Sequence, residues 1–259
     1  MMDNAATIFA VPNIPDIHPG DDLATILGDC LESQNIDLVD GDILCIAHKI
    51  FSKAEGNTYW LKDVEPSDEA RALGEELNKD PRKVEIILNQ SVRIVRKFKR
   101  PDQNQGTLIC EHKLGFISAN AAVDESNAED ADSVITLPDN PDKSADQLRL
   151  ALEARFGVHL GVVMTDTFGR PWRLGQVNVA IGLSKVPAKT SEIGNTDAWG
   201  RELSVTEPAF ADEIAAASGL VIRKAAKTPM VIFRGLDWVP DQQAKASDIL
   251  RTAEKDMFR

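Results

Sequence analysis

The chain has 259 residues, 43% of them hydrophobic, enough to bury a large core in one big domain or two closely packed subdomains. Its 29 basic and 41 acidic residues leave a formal charge of −12, which repels a nucleic-acid backbone or an anionic membrane surface and sets both aside as partners. Three scattered cysteines, Cys30, Cys45 and Cys110, form neither a zinc spacing nor a disulfide framework. With no secretory leader and no run of about 20 apolar residues, the expected address is the cytoplasm.

In chain order, β-like runs are expected at Thr7–Val11, Asp42–Ala47, Val92–Phe98, Thr107–Cys110, Gly115–Ser118, Leu160–Met164, Val177–Leu183 and Met230–Arg234. The first helix follows Asp21 and Asp22, with Leu23, Ile26, Leu27, Cys30 and Leu31 on one face. Others are expected after Pro66-Ser67, at Pro81, and from Ser144, where Gln147 three residues on resembles a capping box and Gly157 marks the stop at Phe156. Two more lie near Phe210–Ser218 and Gln243–Lys255. Strands and helices alternate without a strict βαβ rhythm, so a mixed α/β (α+β) architecture is expected over a doubly wound one. The Asp/Pro-rich stretch Asp124–Lys143 reads as a link between two subdomains.

The most telling stretch is Thr165-Asp166-Thr167-Phe168-Gly169-Arg170-Pro171-Trp172-Arg173, directly behind the apolar run Leu160–Met164. A buried strand that delivers hard oxygen donors and then cations suits a divalent metal and several phosphates. Neither a P-loop nor a G-x-G-x-x-G turn is present, so a nucleotide must be held another way. Two further segments supply pieces. Ala119–Asn127 offers Asp124 and, three residues later, Asn127; Asp124 on a loop could meet Asp166 across the fold and hold one or two Mg²⁺ or Mn²⁺ ions, though Asp and Asn are also common turn formers. His48–Gly56 places Lys49 and Lys53 just past a strand, either as phosphate contacts or as a solvated loop. His18, His112 and His159 are isolated and read as structural or exposed. The basic run Arg93, Arg96, Lys97, Lys99, Arg100 either steers a polyanion or forms an exposed face, and Trp172 either stacks on a ligand or packs beside its proline.

Together these segments resemble the coenzyme F420-0:L-glutamate (F420-0:γ-glutamyl) ligases over about residues 8–240. The matching strings are SKAEG at Ser52–Gly56, ANA-VD-SN at Ala119–Asn127, SA–LR at Ser144–Arg149, TDTFGRPWR-GQ at Thr165–Gln176, VAIG at Val179–Gly182, GREL-VT at Gly200–Thr206, ADEIAAA at Ala211–Ala217 and RGL at Arg234–Leu236. The resemblance implies a single family domain of two subdomains in an intertwined homodimer, without the nitroreductase-like domain fused to some bacterial relatives. It implies a GTP-dependent ligase, using Mg²⁺ or Mn²⁺ with potassium as a further requirement, that joins L-glutamate to F420-0 through an acyl phosphate. By position, Asp124, Asp166 and Thr167 correspond to metal ligands. Asn127, Lys53, the segment Ile14, Pro15, Asp16 and Ile17, and His48-Lys49 correspond to nucleotide contacts. Arg170 and Arg173 are added on charge and placement, as contacts for phosphate or substrate carboxylate with an ion pair as the alternative.

The chain departs from the family pattern in places. Ile222–Thr228 lacks the acid of archaeal relatives, so Lys224 is expected to contact phosphate directly, and the metal count is open. Ala122 replaces a usual glycine. Ser184–Gly194 lacks elements often found there, which keeps open a paralogous ligase with another acid or amine. The lost acid likewise keeps open a catalytically silent nucleotide-binding homologue.

Overall fold

A computed structural model of the chain describes residues 5–125, 132–222 and 227–256. Among the described residues the architecture is mixed α/β. A five-stranded sheet contains β1 (Thr7–Ala10), β2 (Ile43–Ala47), β8 (Gly161–Arg170), β9 (Arg173–Ser184) and β10 (Met230–Arg234), in the spatial order β1-β10-β2-β8-β9. Only β2 and β8 run parallel; the other neighbours are antiparallel. A second sheet of β4 (Ser91–Phe98), β5 (Thr107–His112) and β6 (Ile117–Ala119) is antiparallel, and β3 (Thr58–Trp60) pairs with β7 (Ser133–Ile135).

The central strands are buried on both faces. Ile43–Ile46 and Val162–Met164 are 0% exposed, as expected for uninterrupted apolar runs at the middle of a sheet. Helices α1 (Leu23–Ser33), α5 (Pro141–Phe156) and α6 (Phe210–Ser218) contribute to the same core, and α5 and α6 both pack on β9. A separate cluster lies between α3 (Asp68–Leu77), α4 (Pro81–Gln90) and the three-stranded sheet. Asp22 caps α1 through Ala24 N–H and Thr25 N–H, Ser67 caps α3, and Pro81 opens α4 behind the Asp80 cap.

Four expectations are corrected. Helix α5 starts at Pro141, not Ser144: Asn140 accepts from Lys143 N–H at 3.0 Å, and the Ser144 hydroxyl donates back to Asn140 O instead of capping. The stretch Asp124–Lys143 is not only a link, since it contributes β7 and the first turn of α5. His48–Ala54 is a helix, α2, not a loop. Residues 243–255 hold only two short 3₁₀ turns, Ala246–Ile249 and Ala253–Lys255. Their amides are committed elsewhere: Lys245 N–H to Asp248, Ala246 N–H to Asp142 on α5, and Leu250 N–H to Ser247 O. Among the described residues no helix is long and apolar enough to cross a membrane.

Candidate active site

The parallel pair β2–β8 sets the site. Their register ends at Ala47 opposite Thr165; beyond it β2 turns directly into α2 while β8 continues outward. The chain therefore splits at the carboxyl ends of two parallel strands, where open α/β sheets form ligand crevices. A cavity of about 490 Å³ occupies this split, within the size range of small-molecule sites. The residues just past the last pair, His48 and Asp166, face each other with His48 Nε2 3.4 Å from Asp166 Oδ1. Nε2 is buried and makes no well-aligned hydrogen bond, so the contact is a close approach of ring nitrogen to carboxylate oxygen. The other ring nitrogen, Nδ1, lies 3.0 Å from the Ser52 hydroxyl one turn along α2, which fixes the ring.

Burial alone would push the Asp166 carboxyl up. The His48 ring, the Thr167 N–H donating to Oδ1 at 2.6 Å and the charge of Lys49 together outweigh it and hold the group below the ordinary carboxylate value. Asp166 is thus a carboxylate at the cavity wall.

Asp124 reaches the same cavity from the other side. Its backbone forms a two-way bridge with Ile135 of β7, Asp124 N–H to Ile135 O at 3.0 Å and Ile135 N–H to Asp124 O at 2.8 Å. Just before it, Asn120, Ala121 and Ala122 all adopt left-handed φ angles of 54°, 50° and 57°. That conformation costs L-residues roughly 1–2 kcal/mol each, a concentration of strain beside a presented side chain. The Lys49 ammonium donates to Asp124 Oδ2 at 2.5 Å and acts on Asp166 through its charge, so one lysine serves both carboxylates.

The mouth is built from the loop after β1. Ile14 and Ile17 are anchored in the core, leaving Pro15, Asp16 and His18 at the rim. Lys227 donates to both Asp16 oxygens at 3.0 and 2.8 Å; this pair, with help from Lys53 and His18, holds the Asp16 carboxyl below its ordinary value. Lys53, Thr165, Thr167, Asn178, Ile222, Thr228 and Pro229 complete the wall with Ile50 and Ala47.

Of the residues singled out from sequence, Ile14, Pro15, Asp16, Ile17, His48, Lys49, Lys53, Asp124, Asp166 and Thr167 therefore meet in one cavity. Asn127 and Lys224 lie outside the described residues. Arg170 and Arg173 are not brought there. Strand β8 runs on past Asp166 at about 3.3 Å per residue, which carries Arg170 about 13 Å farther to the exposed end of a β8–β9 hairpin, where its Nη2 donates to Leu174 O at 3.1 Å. The stretch Ser184–Gly194, which departs from the family pattern, does not line the cavity either. Asn178, Lys227, Thr228 and His18 belong to the wall and carried no motif of their own. Asn178 stands between two half-buried valines, Val177 and Val179, in β9, and His18 read as an isolated histidine. Arg93, Arg96 and Lys97 of the basic run lie on the edge strand β4 and Lys99 and Arg100 just past its end, with Arg93 paired to Glu111 and Lys97 to Glu76.

Three aspartates, three threonines and several lysines around one crevice of a mixed α/β sheet are the equipment of a small-molecule enzyme, and the comparisons with known proteins say which kind. A family model described as F420-0:Gamma-glutamyl ligase matches residues 12–235. A protein of Methanopyrus kandleri named coenzyme F420:L-glutamate ligase is 45% identical over 258 residues, covering 97% of both chains. Proteins of the same name from Methanothermobacter thermautotrophicus and Methanosarcina barkeri are 38% and 36% identical, covering 98% and 97% of this chain and 98% and 94% of their own. The chain belongs to the F420-0:γ-glutamyl ligase family.

Proposed function

We propose that this chain joins L-glutamate to coenzyme F420-0 in a GTP-dependent reaction through an acyl phosphate, releasing GDP and phosphate. The observation that carries the reading is the meeting of Asp124, Asp166 and Thr167 with Lys49 and Lys53 in one cavity.

A carboxylate is a poor acyl donor, so the reaction needs a leaving group. In the proposed first step an F420-0 carboxylate oxygen bonds to the γ-phosphorus of GTP as the bond to the β,γ-bridging oxygen breaks and GDP departs. The glutamate nitrogen then bonds to the acyl carbon, the carbon–oxygen bond to phosphate breaks, and the nitrogen sheds a proton. Lys49 and Lys53 are placed to neutralise phosphate oxygens as charge gathers at the reacting group. Ile14, Pro15 and Ile17 give an apolar wall suited to a nucleobase, and the Thr167 N–H holds Asp166 beside the His48 ring.

The donor set of two carboxylates and a hydroxyl fits a hard divalent cation such as Mg²⁺ or Mn²⁺, which takes its remaining ligands from phosphate and water. When bound it would add positive charge beside the phosphoryl oxygens. A potassium ion, a cytoplasmic setting and a homodimer belong to the same proposal. The three described cysteines are buried free thiols, in keeping with a reducing compartment. In a homodimer Arg170 and Arg173, on an arm that leaves its own cavity, would meet substrate only from a neighbouring copy.

Phosphate release from GTP by the intact chain is expected only when F420-0 and L-glutamate are both present. Release with other acid and amine pairs alone would overturn the reading.

A further inference from the structure

A chain of hydrogen bonds runs from the core to the cavity and fixes the direction of every proton in it. The Ser218 hydroxyl, 0% exposed at the end of α6, lies 2.6 Å from Ala215 O, a carbonyl that can only accept. Its single proton is spent there, so towards Asn178 the Ser218 oxygen must accept. The side-chain group of Asn178 facing it at 3.1 Å is therefore the amide nitrogen, Nδ2. That orientation, assigned from the network, turns Asn178 Oδ1 towards Thr167. Oδ1 has no proton to give, so the Thr167 hydroxyl donates to it across 2.9 Å. With its proton directed away, Thr167 Oγ1 keeps its lone pairs for the cavity that both residues line.

The backbone around this relay is tied to the same helix. Between the pairs Met164–Gly182 and Thr165–Ala180 the ladder slips by one residue at Ile181, and the Ala180 N–H beside the slip donates to Asp212 of α6 at 2.9 Å. Helix α6 thus holds β9 through Asp212 and through Ser218, one on each side of Val179, the partner of Asp166.

We propose that Asn178, held by Ser218, is a positioning residue that makes Thr167 Oγ1 a committed oxygen donor towards a divalent cation in the cavity. The proposal rests on the cation reading given above. A threonine hydroxyl free to rotate would spend part of its time aiming its proton at the cation; the relay removes those orientations. Partners of this kind outside the ligand shell change metal affinity by about 10–100-fold when removed.

The test is Mn²⁺ binding by the full chain, followed by the loss of the free-ion electron paramagnetic resonance signal, with Mn²⁺ alone and with GDP added. Wild type, Thr167→Val, Asn178→Leu, Ser218→Ala and the double variants Thr167→Val/Asn178→Leu and Thr167→Val/Ser218→Ala are compared, with Asp166→Asn as the control for the site. Asn178→Leu and Thr167→Val are each expected to weaken binding about tenfold or more, and their double variant no further than Thr167→Val alone, because Asn178 acts through that hydroxyl. Ser218→Ala is expected to weaken binding less, and not at all in the Thr167→Val background. If Asn178→Leu fails to fold, as judged by circular dichroism, the Ser218 pair decides. Wild-type affinity in Asn178→Leu or Ser218→Ala, or single effects that multiply in either double variant, would overturn the relay while leaving the cation site standing. No Mn²⁺ bound by wild type under either condition would overturn the cation reading and the relay with it.

Discussion

His48 and Asp166 owe their encounter to register: each is the first residue beyond the last rung of a parallel pair, and one strand turns into a helix where the other goes on. Asp166 is consequently charged in a mostly buried place, with Lys49 and His48 as its compensation. Replacing it with Asn keeps the shape and removes the charge. The expected result is a loss of turnover on the order of 10²-fold or more in a variant that circular dichroism shows to be folded; near wild-type turnover would remove Asp166 from the chemistry. A different residue governs the response to acid. His112 is 3% exposed, its Nδ1 accepts from Leu114 N–H at 3.0 Å, and burial, reinforced by Lys113, drives its pKa down to about 4. The unfolded chain takes up this proton near pH 6.5 and the folded chain only near 4, so stability is whole above 6.5 and is lost as pH falls towards 4. The loss from this group reaches about 3 kcal/mol. Urea unfolding between pH 7 and 4 is expected to show a shallower decline in His112→Asn; equal slopes would show that His112 does not set it. At this scale the site was partly legible in the sequence. Asp124, Asp166, Thr167 and the lysines announced themselves because acids and cations behind apolar strands are unusual. Asn178 did not, because one amide among the valines of β9 looks like ordinary strand alternation, and its role depends on Ser218 forty residues away.

Among the elements, those whose local chemistry had no rival were read correctly. Asp22, Ser67 and Pro81 mark the starts of α1, α3 and α4, and Gly157, with φ of 69°, ends α5. Strand cores such as Ile43–Ile46 declared themselves by unbroken apolar runs. The errors lie where two local signals competed or where the partner was distant. Asn140-Pro141 outcompeted the Ser144 capping box by offering a cap and a preset first turn. The three-residue strands β3 and β7 exist only because they pair with each other across more than seventy residues. The 3₁₀ turns after residue 245 replace a helix because Asp142 takes the Ala246 amide. That same aspartate also accepts from Leu183 N–H at 2.7 Å, so the start of α5 lies directly on β9. The contact is close enough to need a glycine. A Cβ added at Gly182 would stand 2.6 Å from Pro141 Cβ and 2.7 Å from its carbonyl carbon. Backbone cannot yield as a flexible side chain would, so Gly182→Ala is expected to cost about 1–3 kcal/mol. The signature is a lower urea midpoint at unchanged slope, and a midpoint within error of wild type would mean that the helix can step back freely.

For the whole molecule, the feature that a single copy does not explain is the β8–β9 hairpin. Its inner half belongs to the core, whereas Leu174 is 97% and Trp172 79% exposed at its outer end, and Leu220, Val205 and Trp199 are more than four-fifths exposed elsewhere on the surface. Large apolar side chains displayed on an extended arm are more consistent with an interaction surface than with a solvated tip. The proposed homodimer gives them an occupant of matching chemistry, a second copy of the same arm and surface. It would also bring Arg170 and Arg173 within reach of a cavity other than their own. If the arm holds two copies together, light scattering on the intact protein gives twice the 28.3 kDa of one chain. The double variant Trp172→Ser/Leu174→Ser then shifts towards a single chain while its far-ultraviolet circular dichroism stays the same, since neither side chain supports the core. Turnover should fall together with the loss of the dimer and recover at protein concentrations high enough to restore it, which separates an arm needed for assembly from an arm merely exposed. A wild-type protein that scatters as one chain while fully active would leave the hairpin without this role and the two arginines without a route to substrate.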